Sequence, residues 1–124
     1  MKHIILDTNA VMAVMEFHMD VFAELAHCCD FLYQVMVLQG TVRELEQLVQ
    51  SGRGKYHTAA KVALALLQTK RIGVLNEEGI VDDILVKHSK QGDFVLTQDI
   101  GLKRRLQKPY LTIRQKKKVI VVSS

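Results

Sequence analysis

The sequence predicts a three-layer α/β/α domain built on a mainly parallel central sheet of about five strands. Short apolar runs that read as buried strands alternate with helix-like segments, with almost no spare loop between them. Such alternation favours parallel pairing, because parallel strands need a crossover and a helix supplies it. Acidic residues recur where a strand-like run gives way to a helix-like one, and in an open sheet of this kind such junctions gather on one edge. With 124 residues, 48% of them hydrophobic, residues 1–124 suit a single domain with a real core.

The first strand is the apolar run 4–6, Ile4-Ile5-Leu6, which ends abruptly in Asp7, Thr8 and Asn9. Residues 10–15 continue as an apolar helix. Asp20 caps a second helix whose Val21, Phe22, Leu25 and Ala26 share a face. Residues 31–38 are β-rich and form a second buried strand, and Gly40 then allows a turn into a helix over 41–50. That helix opens on Thr41-Val42-Arg43-Glu44, a capping-box pattern, and stops at Ser51-Gly52. After the basic turn Arg53-Gly54-Lys55, a helix over 56–69 places Ala59, Val62, Ala63, Leu66 and Leu67 at helical spacing for packing. A third strand over 72–75, a loop over 76–79 and a helix over 80–89 follow, with Gly92 ending the segment. Residues 95–97 make the fourth strand, 100–106 a short basic helix, and 111–113 the fifth strand after the sole proline, Pro109. Residues 119–122 can add an edge strand.

Charge is unevenly spread. All thirteen acids and nine of the seventeen Lys and Arg residues lie up to Asp99, whereas the segment from Ile100 onward carries eight basic residues and no acid. An acidic body with a basic end fits a site for cations beside a surface for a polyanion, although a charged tail also keeps a small protein soluble. No apolar run approaches the roughly 20 residues that span a bilayer. The start, Met1-Lys2-His3-Ile4, moves straight into strand-like sequence without a cleavage signal. A soluble cytoplasmic protein with no membrane contact is therefore expected. Cys28 and Cys29, being adjacent, have poor geometry for a structural disulfide and no metal-ligand spacing, so both are read as reduced packing residues.

Asp7 follows the first strand, Glu44 lies in the helix after the second, Asp82 and Asp83 begin the helix after the third, and Asp99 follows the fourth. Each alone has a plain helix-start explanation through capping or the helix dipole. Together on one edge, carboxylates repel one another unless a cation intervenes. Oxygen-only ligands, without a Cys or His cluster, point to Mg²⁺ or Mn²⁺, and the matching chemistry is phosphodiester hydrolysis. The histidines His3, His18, His27, His57 and His88 are scattered and suggest no general base. Neither a Gly-rich phosphate loop nor a Gly-x-Ser-x-Gly elbow occurs.

Four blocks carry a resemblance: Leu6-Asp7-Thr8-Asn9, Thr41-x-x-Glu44-Leu45, Asp83-x-Leu85-Val86, and Leu96-Thr97-x-Asp99 followed by Leu102-x-x-x-Leu106. In their order and intervals the chain resembles the PIN-domain ribonucleases over nearly its whole length. The resemblance implies a parallel sheet flanked by helices, a metal site of acids and single-stranded RNA as substrate. Carried over by position, Asp7, Glu44, Asp83 and Asp99 are the catalytic, metal-binding acids, and Asn9 and Thr97 are supporting polar groups. Either Asp82 or Asp83 fits the third place. Asp83 is preferred because the apolar residues two and three positions later match the family pattern, leaving Asp82 in support.

The doubled acid, the basic stretch from Gly101 to Leu106 and the end Tyr110-Leu111-Thr112-Ile113-Arg114-Gln115-Lys116 look more like the branch linked to ribosomal RNA processing. Toxin ribonucleases of toxin–antitoxin pairs are the second choice, and a non-catalytic PIN-like RNA-binding or scaffold module is the rival from another class. A phosphoacceptor receiver is disfavoured, because it expects paired acids after the first strand and an acceptor Asp after the third. A haloacid-dehalogenase-type phosphatase is disfavoured because Asn9 stands where a second Asp is needed. Lys103 and Arg104 are the expected RNA-binding residues, since they follow Asp99 directly. A homodimer or a protein partner is left open.

Overall fold

The computed structural model describes residues 1–123. Its sheet has six strands in the order β3-β2-β1-β4-β5-β6, formed by β1 (Lys2–Leu6), β2 (Tyr33–Leu38), β3 (Gly73–Leu75), β4 (Phe94–Leu96), β5 (Tyr110–Arg114) and β6 (Lys118–Val122). The first five run parallel, and β6 pairs antiparallel with β5 from Tyr110 opposite Val122 to Arg114 opposite Lys118. The run 119–122 is thus a full edge strand, and the sheet holds one strand more than the five counted from the sequence.

Alternation along β1 sets the layers. Ile4 and Leu6 enter one core with residues of α1 (Thr8–Glu16), α2 (Val21–Cys28), α3 (Gln39–Ser51) and α4 (Lys55–Thr69). Ile5 enters the other, with Ile84, Leu85 and Val86 of α5 (Val81–Lys90) and Leu102 of α6 (Ile100–Arg105). All three β1 residues are fully buried, as period-2 burial on both faces of a parallel sheet requires.

Three local readings change. Strand β2 begins at Tyr33, not at residue 31; Phe31 instead stacks on Phe94 with ring centroids 4.8 Å apart, and Leu32 is exposed. On α2, Val21 and Leu25 are buried but Ala26 faces solvent, so the buried stripe is narrower than expected. The capping box does not form. Helix α3 starts at Gln39 with Leu38 at the cap and no side-chain cap bond, which places Thr41 and Glu44 inside the helix.

Gly40 is helical, and its role is close approach: a Cβ there would lie 2.6 Å from Cγ2 of Val81. The start of α3 and the start of α5 are thereby held together, which brings the helix carrying Glu44 against the one carrying Asp82 and Asp83.

Candidate active site

After β1 the chain builds β2 and β3 on one side and then returns to place β4 on the other. The switch in strand order falls between β1 and β4, and clefts of doubly wound sheets open beyond the carboxyl ends of the strands at such a point. Asp7 leaves β1 there and Thr97 leaves β4.

A cavity of about 260 Å³ lies at this edge, lined by Asp7, Thr8, Asn9, Glu44, Val81, Asp82 and Asp99. Asp7 is the N-cap of α1: its Oδ1 accepts the Ala10 N–H at 2.8 Å. Its Oδ2 accepts the hydroxyl hydrogen of Thr97. Thr97 Oγ1 in turn accepts the Asp99 N–H at 3.0 Å, and Asp99 caps α6 by accepting the Leu102 N–H at 2.9 Å through Oδ1. Thr97 is fully buried, and its hydroxyl joins the Asp7 carboxylate to the Asp99 backbone.

Burial pushes the Asp7 carboxyl up to about 6. The Thr97 and Ala10 hydrogen bonds oppose that rise, and the charges of Asp99 and Asp82 add to it. The carboxylate is held in a place that disfavours its charge.

Thr8 and Val81 also line the cavity and were not singled out from the sequence; Thr8 lies in the Leu6-Asp7-Thr8-Asn9 block, which was the available signal. Gln98 was missed as well. Its Oε1 accepts the Ile113 N–H at 3.0 Å and lies 2.9 Å from Thr112 Oγ1, pinning the loop that carries Thr97 and Asp99 to β5. Nothing in its sequence context marks that role.

The third acid stands differently from the preference drawn from spacing. Asp82 lines the cavity, while Asp83 Oδ1 accepts from Arg105 Nη2 at 2.6 Å in an exposed ion pair between α5 and α6. The two acids are neighbours on a helix, about 100° apart, so only one can turn inward when α5 buries Ile84, Leu85 and Val86. Glu44 reaches the cavity from within α3. Lys103 and Arg104 lie on α6 but do not line the cavity. Of the histidines, His88 is buried between Asp93, with Nδ1 2.9 Å from Oδ2, and Glu77 on its other nitrogen.

An α/β/α sandwich with acids gathered where the strand order switches defines the class as a doubly wound domain with an acidic edge site. The chain matches the PIN like domain model over residues 4–116 and belongs to that family. It is 33% identical over 122 residues to ribonuclease VapC9 of Archaeoglobus fulgidus, covering 94% of this chain and 87% of that protein. To ribonuclease VapC4 of Methanocaldococcus jannaschii it is 27% identical over 124 residues, covering 94% of each. The PIN domain endonuclease Utp24 superposes with a TM-score of 0.77 at 25% identity over 98% of this chain and 92% of that one. VapBC-1 from nontypeable Haemophilus influenzae shares the fold, with a TM-score of 0.57 at 17% identity over 83% of this chain and 91% of that one.

Proposed function

We propose that the chain is a metal-dependent endoribonuclease that hydrolyses phosphodiester bonds in single-stranded RNA at the Asp7 cavity. The observation that carries this reading is the buried Asp7 carboxylate, raised to about 6 and crowded by Asp82 and Asp99 in one polar cavity. A buried carboxylate crowded by exposed like charges at a sheet edge calls for a cation. The ribonuclease relatives and the endonuclease neighbour support the reaction class.

The donor set fits a hard cation, since every charged group lining the cavity is a carboxylate. Among the described residues no three acids, histidines or cysteines converge into a ready-made cage. Mg²⁺ binds through one or two carboxylates and keeps several waters, so Mg²⁺ or Mn²⁺ does not require such a cage. Asp7, Asp82, Asp99 and Glu44 are the proposed ligands, with Asp82 in the place first given to Asp83. When bound, the ion lowers the pKa of an attacking water and neutralises charge on the phosphate.

The residues themselves prepare the site. Two hydrogen bonds fix both oxygens of Asp7, and an ionised carboxylate with about four acceptor positions still keeps lone pairs free. Thr97 holds Asp7 and the Asp99 backbone in one arrangement, Asn9 offers an exposed amide at the cavity wall, and Gln98 keeps the loop from shifting.

Ribosomal RNA processing is the finer assignment, resting on the sequence likeness of the doubled acid and basic end; the two ribonuclease relatives support the toxin alternative instead. The reduced Cys28 and Cys29, both free, fit a cytoplasmic setting. A second reading, a non-catalytic RNA-binding module, is favoured by the lack of a preformed ligand cage among the described residues. Incubation of single-stranded RNA with the protein and Mn²⁺, Mg²⁺ or EDTA decides between them. Cleavage that needs the ion and disappears in Asp7→Asn is expected; RNA binding without cleavage in any ion selects the second reading.

A further inference from the structure

A second cavity, of about 650 Å³, opens between the end of α1, the start of α4 and the β5–β6 hairpin, lined among others by Phe17, His18, Lys55, Thr58 and Lys116. Glu16 is its one acid. Because β5 runs parallel to β4, the hairpin that follows β5 lies on the same sheet edge as Asp7 and Asp99.

Several features concentrate positive charge there. Lys116 Nζ sits 5.5 Å from the centroid of the Phe17 ring, which holds the ammonium over the cavity wall. Helix α4 begins with Lys55 and has no acid in its first turn and no side-chain cap, so Glu16 is the one carboxylate that lines the cavity at the positive end of its dipole. Four non-glycine residues in the described chain have left-handed backbones, His18, Arg71, Gln115 and Lys116, with φ between 52 and 55°. Two of them line this cavity and a third, Gln115, shares the turn with Lys116. A tight hairpin of this kind favours Asn-Gly, so Gln-Lys holds a disfavoured backbone in order to present Lys116.

We infer that the Lys55–Lys116 cavity is a phosphate subsite that holds the backbone of the RNA strand whose scissile bond lies at the Asp7 cavity. The choice of RNA rests on the function proposed above. The shared sheet edge decides for RNA over an acidic protein segment, because a strand seated at the acids continues along that edge. Tyr56, half-exposed beside Lys55, offers a ring for a base in the same stretch.

The test compares Lys55→Ala/Lys116→Asn with Lys117→Ala/Lys118→Ala in the full chain. Asn keeps the left-handed turn while removing the charge, and the second pair removes an equal charge from the β5–β6 hairpin outside the cavity. Affinity for a 12-nucleotide single-stranded RNA is measured by fluorescence anisotropy in EDTA across a salt series, and Mn²⁺-dependent cleavage is followed in parallel. For the cavity pair, affinity falls on the order of tenfold, the salt slope flattens by about 1.4, and KM rises at constant kcat. The hairpin control changes each by less, and Lys116→Arg retains affinity. Equal losses from both pairs, an unchanged slope, or polyglutamate binding as tightly as RNA with the same Lys dependence would overturn the subsite. Lys-dependent RNA binding without any cleavage would sink the nuclease and leave the subsite standing, whereas cleavage with unchanged KM would do the reverse.

Discussion

Asp7 joins three jobs in one side chain: it caps α1, accepts from Thr97 and faces the acidic cavity. Its folded pKa of about 6 lies above the ordinary 3.8, so in metal-free buffer its ionisation opposes folding. The sign follows from proton binding. Between about pH 4 and 6 the folded chain holds more protons than the unfolded one, so this contribution falls as pH rises and is lost above 6. Asp7→Asn keeps a good cap and removes the charge, and is expected to raise metal-free stability at pH 7 by at most about 3 kcal/mol. Urea unfolding at pH 7.5 and 4.5 checks this, the advantage over wild type shrinking at the lower pH. At the third acid, Asp82→Asn is expected to damage cleavage more than Asp83→Asn, because Asp83 is held by Arg105 outside the cavity. Parallel kcat/KM measurements on the two variants decide it, and the opposite order would return the role to Asp83.

Among elements, the junction of α3 with α5 sets the cavity's width. Gly40→Ala drives a methyl group into Val81 and is expected to cost about 1–3 kcal/mol while lowering activity. Val81→Ala in the same chain gives back most of the loss, which thermal unfolding of the double variant measures. At the far end of α5, His88 bridges Asp93, ahead of β4, and Glu77, in the loop after β3. Burial lowers its pKa, but the two carboxylates raise it more, and the net shift is upward. A raised histidine contributes stability that is full below the unfolded pKa near 6.5 and is lost as pH rises through the folded value. His88→Ala is therefore expected to destabilise more at pH 5.5 than at pH 8.5, by roughly 1–3 kcal/mol at the acidic end. Denaturation midpoints at the two pH values provide the check.

Across the whole molecule, the acids lie in the body of the chain and the excess of cations in its last segment, and the fold brings part of that segment to the acidic edge. Lys103 and Arg104 lie on the helix that Asp99 caps, outside the acidic cavity. Lys103→Ala with Arg104→Ala is expected to weaken binding of all single-stranded RNAs alike, flatten the slope of log affinity against log salt by roughly 1 to 1.5, and leave Mn²⁺ binding unchanged. Anisotropy titrations across salt, with calorimetry for Mn²⁺, test both halves; full affinity with an unchanged slope would assign this helix to solubility or a protein contact.

By itself the sequence determined the layers, the mainly parallel sheet and the strand-to-helix edge to which it assigned Asp7, Glu44, Asp82, Asp83 and Asp99. Those follow from local rules: apolar runs of strand length, helical spacing between them, and acids at the junctions. The start of α3 escaped those rules because the Thr41–Glu44 pattern is a local capping signal, whereas the helix begins where Gly40 lets it approach Val81. Which of Asp82 and Asp83 lines the cavity was a choice that only the tertiary structure made. The choice depends on the rotation of α5 about its axis, fixed by burial of Ile84, Leu85 and Val86 and by Arg105 reaching across from α6. Two neighbouring carboxylates are alike in sequence, and packing at long range gives one of them to the cavity and the other to an arginine.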